Sequence, residues 1–327
     1  MNSFALSVIV PCFNEEGGLR EFHRRVRAVC TECVGGNFEI LMINDGSKDG
    51  TWAVMEELAK VDRYVVAVNL SRNFGHQAAL TAGFQLARGD RVFVLDADLQ
   101  DPPELLVPMM NLMDEGCEVV YGQRTNREGE TLFKKFSAFL FYRLLEKLTD
   151  IPIPKDVGDF RLMSRNAVDI LNKMPEHHRF IRGMVSWIGL RQEGVPYERS
   201  GRFSGNTKYS ISKMIRFSLD AITSFSVRPL RIASYLSAVF VVATILFLIY
   251  ALVRYYFGKT VEGWTSLAVI ILTLGSAQLF VVGVMGEYLG RLYIESKGRP
   301  LYLVQEIIST FDHRPEGSRI DPGAKQL

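Results

Sequence analysis

The sequence predicts an α/β fold, a mostly parallel sheet flanked by helices and followed by two transmembrane helices. Three observations predict it. Apolar, β-branched runs alternate with helix-period segments over residues 1 to about 125, polar clusters close three of those runs, and two uncharged stretches of 22 residues lie near the C-terminus.

In chain order, strands are expected at Ala5 to Pro11, Phe38 to Ile43, Tyr64 to Leu70, Arg91 to Leu95 and Glu118 to Tyr121. Helical periodicity falls between them near residues 16–30, 51–61, 76–87 and 103–114. Strands separated by helix-length segments imply crossover connections and parallel pairing. The first strand closes in Pro11-Cys12-Phe13-Asn14-Glu15 and the second in Asn44-Asp45-Gly46-Ser47. The fourth closes in Asp96-Ala97-Asp98-Leu99-Gln100-Asp101, after which Pro102-Pro103 blocks extension. In an open parallel sheet such ends share one edge, and ligands bind there. With no Gly-x-Gly-x-x-Gly after the first strand and no Gly-x-x-x-x-Gly-Lys-Ser/Thr loop, dinucleotide oxidoreductases and P-loop NTPases are disfavoured.

Asp96 and Asp98 alternate about Ala97, so on a continuing strand both would line one side of a cleft, with Gln100 two residues on. Hard oxygen ligands of this kind suit Mg2+ or Mn2+ held against a phosphate. His177-His178 is adjacent rather than helically spaced and reads as a polar loop.

The uncharged stretches are Ile232 to Val253 and Trp264 to Met285. At about 1.5 Å per residue each reaches about 33 Å, enough to cross a bilayer. Lys213, Arg216, Arg228 and Arg231 precede the first, and Arg291, Lys297 and Arg299 follow the second, which places both flanks in the cytoplasm. Thr131 to Leu148 and Tyr209 to Phe225 carry apolar stripes at helical spacing and are candidates to lie in the membrane interface, the second as a juxtamembrane segment within 209–231. The catalytic region would then be 1–208, with a cytoplasmic segment at 286–311 and a Pro-, Gly- and charge-rich disordered tail at 312–327.

Lys and Arg number 38 against 36 Asp and Glu, so no charge bias points to nucleic acid. Cys12, Cys30, Cys33 and Cys117 are too few for a disulfide framework and lack a second pair to complete a zinc site; they read as reduced thiols. The N-terminus has no basic region leading into an apolar core, so no secretory signal is expected.

The motifs Pro11-x-x-Asn14-Glu15, Asn44-Asp45-Gly46-Ser47-x-Asp49, Arg72-Asn73-x-Gly75 and Asp96-Ala97-Asp98-Leu99-Gln100-Asp101-Pro102-Pro103-Glu104 resemble those of family 2 glycosyltransferases. Gly158-Asp159-Phe160-Arg161, the stretch Met174 to Gly183, Gly205-x-Thr207-Lys208-Tyr209 and Gly286-Glu287-Tyr288-Leu289-Gly290-Arg291 extend the likeness to the polyisoprenyl-phosphate branch, nearest the bactoprenol glucosyltransferases of O-antigen modification.

That resemblance implies a GT-A (Rossmann-like) domain. It also implies transfer of a sugar from a nucleotide donor to undecaprenyl phosphate, at the cytoplasmic face of the inner membrane. The implied donor-binding residues are Pro11, Asn14, Glu15, Asp45, Arg72, Asp96, Arg202 and Lys208, with Asp45 suited to a uracil or guanine N–H. Asp96, Asp98 and Gln100 would hold Mg2+ or Mn2+. Arg202 and Lys208 would close a lid over the diphosphate or touch anionic lipid. Asp159 would orient the acceptor, accept a late proton or fix Arg161, and with Asp98 these form the expected catalytic set. Arg124, Arg127 and Lys134 or Lys135 would grip the acceptor phosphate. The expected donor is UDP-glucose, with GDP-mannose or an aminoarabinose donor as alternatives, and a non-catalytic nucleotide-sugar binding protein as the rival from another class. Relatives of this type form homo-oligomers, so a tetramer is among the expected assemblies.

Overall fold

The first two strands are β1 (Leu6–Cys12) and β2 (Phe38–Asn44), apolar runs buried at every position, as expected of parallel strands covered on both faces. The computed structural model describes residues 4–125, 157–198, 228–257 and 264–310. β3 (Val65–Leu70) and β4 (Arg91–Val94) complete a parallel core in the order β3-β2-β1-β4. Its crossovers are α1 (Leu19–Val34), α2 (Thr51–Val61) and α3 (His76–Leu86), within a few residues of the spans expected from periodicity.

Alternate residues of β1 divide the core. Leu6, Val8 and Val10 face the cluster that also holds Phe22, Val26, Val54 and Met55 from α1 and α2. Ile9 points the other way, toward α3, where a Cβ on Gly83 would fall 2.3 Å from Ile9 Cγ2. That glycine lets helix and sheet approach closely. A short 3-10 turn (Pro103–Leu105) leads into α4 (Leu106–Asp114), on the α1 side.

The fifth expected strand exists as β5 (Val119–Arg124). β6 (Val157–Ser164) inserts antiparallel between it and β4, and β7 (Gln192–Tyr197) runs parallel to β5 at the edge. β6 leads into α5 (Arg165–Lys173) and α6 (Ile181–Ile188). β8 (Val304–Ile308), which periodicity did not signal, pairs antiparallel with β3 at the opposite edge. The eight strands run in the order β7-β5-β6-β4-β1-β2-β3-β8. Six share one direction, so the sheet is mixed but mostly parallel.

The chain divides into two compact units. The sheet unit comprises 1–137, 153–209 and 300–327, so residues after the apolar helices return to it. The second unit contains α7 (Arg228–Tyr256) and α8 (Trp264–Ser296), the two expected apolar stretches, both helical and packed on each other. Among the described residues one window, Leu230–Phe247 at mean hydropathy 2.0, is long and apolar enough to cross a bilayer. The expected interfacial segments 131–148 and 209–225 and the tail 312–327 lie outside the described residues.

Candidate active site

The carboxyl ends of β1, β2, β3, β4, β5 and β7 and the amino end of β6 meet at one edge of the sheet, and pairing direction alone puts them there. Pro11 lies inside β1, paired with Ile43 of β2. Ile9 accepts from Leu95 N at 3.2 Å, and the next rung to β4 would need a donor at position 11, which proline lacks, so the ladder stops there.

The loops after β1 and β2 are laced together. Asn14, at φ 59°, donates its N–H to Ser47 Oγ at 3.0 Å and accepts from Lys48 N at 2.8 Å. Glu15 N donates to Thr51 Oγ1 at 2.8 Å. Asp45 is buried, and its carboxylate accepts from Phe74 N at 2.7 Å and Gly75 N at 3.0 Å. Burial pushes its pKa up, against those backbone bonds. Asp45 thus anchors the β3–α3 loop as well as lining the edge. Arg72 is exposed on that loop, its guanidinium 4.4 Å from the Phe74 ring centroid. Gly46 is required here: its φ is +64°, and a Cβ would lie 2.4 Å from Asn73 N.

The expectation that strand alternation aims Asp96 and Asp98 is corrected. β4 ends at Val94, and Asp96 to Gln100 form a turn in which Asp98 Oδ1 accepts from Gln100 N at 3.1 Å and Leu99 adopts φ 59°. The ladder fails because Asp98 captures a backbone N–H in an Asx turn, so turn geometry, rather than strand alternation, aims the acids. Leu99 and Asn14 are the non-glycine residues at positive φ among the described residues, and both sit at this edge.

Asp159 lies on β6, directly across from this turn. Arg91 pairs with Ser164 and Val94 with Arg161, so the turn that follows β4 comes to the Asp159 end of β6. His76, the first residue of α3, bridges them, with Nε2 3.2 Å from Asp159 Oδ2 and 3.7 Å from Asp96 Oδ1. Arg182 of α6 grips Asp159 through Nε at 3.1 Å and Nη2 at 3.2 Å. Gln77 Nε2 adds a bond at 3.4 Å, and its Oε1 accepts from Ile181 N at 2.9 Å, tying α3 to α6. Arg161, also buried, donates to Gly158 O at 2.8 Å, stands 3.8 Å from Asp159 Oδ1 and, among the described residues, finds no partner for its Nε.

These contacts set the charges. Burial alone would raise Asp159, but Arg182, His76 and Arg161 hold it well below the usual carboxylate range. Desolvation opposes the His76 imidazolium, yet the Asp159 hydrogen bond and the charges of Asp96 and Asp159 outweigh it and lift its pKa to about 9. Asp96 is raised by burial and by Asp159, Asp101 and Asp98, with His76 acting the other way. Burial lowers Arg161 to about 10.

Asp96, Asp98 and Gln100 offer two carboxylates and an amide oxygen, a hard set that fits Mg2+ or Mn2+ with positions left for phosphate oxygens. Asp96 is unfavourable as an anion among its neighbouring acids, and a cation there would relieve it. Among the described residues no group of three or more His, Cys, Asp or Glu side chains is placed to hold a metal ion.

Arg124 ends β5 and bonds through Nε to Tyr197 Oη at 3.2 Å. Arg127, Lys134, Lys135, Arg202 and Lys208 lie outside the described residues. Sequence reasoning assigned no role to His76, Gln77 or Arg182. The first two open a helix directly after a parallel strand, which marks the ligand edge; Arg182 is in a motif that was noted without a site to attach it to.

Residues 7–171 match the profile of Glycosyl transferase family 2. The chain belongs to that family. The glycosyltransferase is 46% identical over 301 residues to the uncharacterized glycosyltransferase YkcC of Bacillus subtilis, covering 92% of this chain and 93% of that one. It is 41% identical over 305 residues to a prophage bactoprenol glucosyl transferase homolog of Escherichia coli, covering 92% and 99%. It is also 41% identical over 303 residues to the bactoprenol glucosyl transferase of Shigella phage SfV, covering 92% and 98%.

Proposed function

We propose that this glycosyltransferase moves a hexose, glucose from UDP-glucose in the first instance, onto undecaprenyl phosphate at the cytoplasmic face of the inner membrane, with inversion at the sugar. The observation that carries the reading is the apposition of the Asp96 turn with Asp159 across the β4–β6 pair, bridged by His76. The relatives named as bactoprenol glucosyl transferases, aligned over nearly their whole length, support the lipid acceptor and the sugar.

In this reading Pro11, Asn14, Glu15, Asp45 and Arg72 form the nucleotide side, and Asp96, Asp98 and Gln100 hold Mg2+ or Mn2+. When bound, that cation neutralises the charge that grows on the nucleoside diphosphate as it leaves. Arg202 and Lys208 are proposed to cover the diphosphate, and Arg124, with Arg127 and Lys134, to receive the acceptor phosphate. The acceptor oxygen is already anionic near neutral pH, so no strong base is needed. Asp159, kept ionised by Arg182, is a poor proton acceptor. We therefore assign it the task of orienting the acceptor and balancing Arg161 and Arg182.

Chain topology supports an even number of membrane crossings. β8 belongs to the same sheet as β1 to β7, and the chain between them passes through α7 and α8. One crossing would put β8 on the wrong side of the bilayer, so we propose two, at 232–253 and 264–285, with a GT-A domain in the cytoplasm.

Membranes containing the full chain, supplied with Mg2+ or Mn2+ and a panel of radiolabelled nucleotide sugars, should yield a labelled lipid from UDP-glucose, and chelation should abolish it. Label from GDP-mannose or an aminoarabinose donor alone would reassign the sugar. Donor binding with no lipid product from any member of the panel would favour a binding protein.

A further inference from the structure

Asp101 closes the acidic turn, yet it faces inward and is 1% exposed. Tyr197 Oη donates to its carboxylate and in turn accepts from Arg124 Nε at 3.2 Å, while Arg124 Nη2 stands 3.9 Å from Asp101 Oδ1. A relay therefore runs from Arg124 through a phenol to an acid on the turn that carries Asp96 and Asp98. The sequence reading gave Asp101 and Tyr197 no part.

Two glycines hold this relay in shape. A Cβ on Gly122 would fall 2.4 Å from Phe160 and 2.8 Å from the Tyr197 ring, so the missing side chain lets that ring pack edge-on against Phe160. A Cβ on Gly158 would fall 2.8 Å from Arg124 Nη2, so the guanidinium lies in space left by the residue next to Asp159. The Arg124 side chain is 26% exposed, and one of its five N–H groups is spent on Tyr197, which leaves donors for an incoming anion.

We propose that Asp101 and Tyr197 are positioning residues that fix the Arg124 guanidinium against Gly158 to receive the acceptor phosphate, tying acceptor affinity to the turn on the donor side. This rests on the reading of Arg124 as an acceptor contact. An arginine held in place loses less side-chain freedom when the anion binds, and the gain falls on acceptor affinity alone.

The test uses the full chain in lipid nanodiscs, with undecaprenyl phosphate titrated at saturating UDP-glucose and the reverse. Tyr197→Phe removes the relay hydroxyl and keeps the ring; Gly158→Ala pushes on the guanidinium without touching Tyr197 or Asp101. Each is expected to raise the KM for undecaprenyl phosphate about tenfold, the equivalent of one lost ordered contact, with donor KM as in the unaltered protein; Tyr197→Phe also lowers Tm by the loss of one buried hydrogen bond. An unchanged acceptor KM in both variants, while Arg124→Ala raises it, overturns the positioning role alone. Acceptor and donor KM rising together as Tm falls marks a packing defect and also overturns it. An unchanged acceptor KM in Arg124→Ala would remove the acceptor assignment of Arg124, and the positioning role with it.

Discussion

Two buried carboxylates, Glu39 and Asp159, sit at opposite edges of the same sheet and are held in different ways. Glu39, near the amino end of β2, accepts from Ser7 Oγ at 2.6 Å, Arg88 N at 2.8 Å and Arg88 Nη2 at 3.2 Å. Ser7 Oγ also accepts from Gly89 N at 2.7 Å. One cation, a hydroxyl and backbone N–H groups balance one acid, which is how a fold satisfies a buried charge. Asp159 instead faces three cationic groups, Arg182, His76 and Arg161, with a second acid at Asp96. Asp159 and Asp96 thus share three cationic groups, where Glu39 has one.

If the comparison is right, substitutions at the two edges should separate activity from stability. The largest effect is expected for Asp98→Asn, which should abolish transfer, by at least about a thousandfold, while the protein stays folded and membrane-bound. A fully active variant would overturn the proposed metal role of Asp98. Asp159→Asn should lower kcat about a hundredfold or more; Arg182 and His76 are partly exposed and can turn to water, so the cost in Tm falls on buried Arg161 and stays smaller than the loss of activity. Comparable loss of Tm and activity would reduce Asp159 to a second Glu39.

At the other edge, Glu39→Gln should cost about 2–3 kcal/mol of stability, at the low end for a broken buried pair since Arg88 is one-third exposed, with kcat unaffected in the folded fraction. Ser7→Ala should cost about 1 kcal/mol by the same thermal assay.

The smallest effect concerns pH, measured as Tm in the presence of a chelator. His76 is raised from 6.5 to about 9, so its contribution is present below pH 6.5 and is lost as pH climbs through about 9. Asp159 is lowered, so its contribution is present above its unfolded pKa near 3.8 and is lost only as acid reaches its depressed folded value. His76→Gln should flatten the alkaline fall and leave the acid limb in place; an unchanged alkaline fall would show that another group causes it.

Local pattern determined much of this protein from sequence alone. β1 to β4 and α1 to α4 follow from apolar runs and 3.6-residue periodicity, and the motifs after β1, β2 and β4 fall at strand ends because parallel βα units leave no other place for them. The family likeness in Asp96 to Glu104 and Gly158 to Arg161 is likewise carried by short stretches, and the family match bears it out.

Tertiary structure decided the rest. Nothing local to Val157–Ser164 says that it reverses between β4 and β5, yet that reversal is what sets Asp159 against Asp96. Val304–Ile308 is five residues whose partner, β3, lies more than 200 positions earlier, beyond the reach of any periodicity. His76, Arg182 and the relay from Arg124 to Asp101 likewise depend on which strands become neighbours. Periodicity reports which face of an element is buried; strand direction and partner choice come from burying all those faces at once.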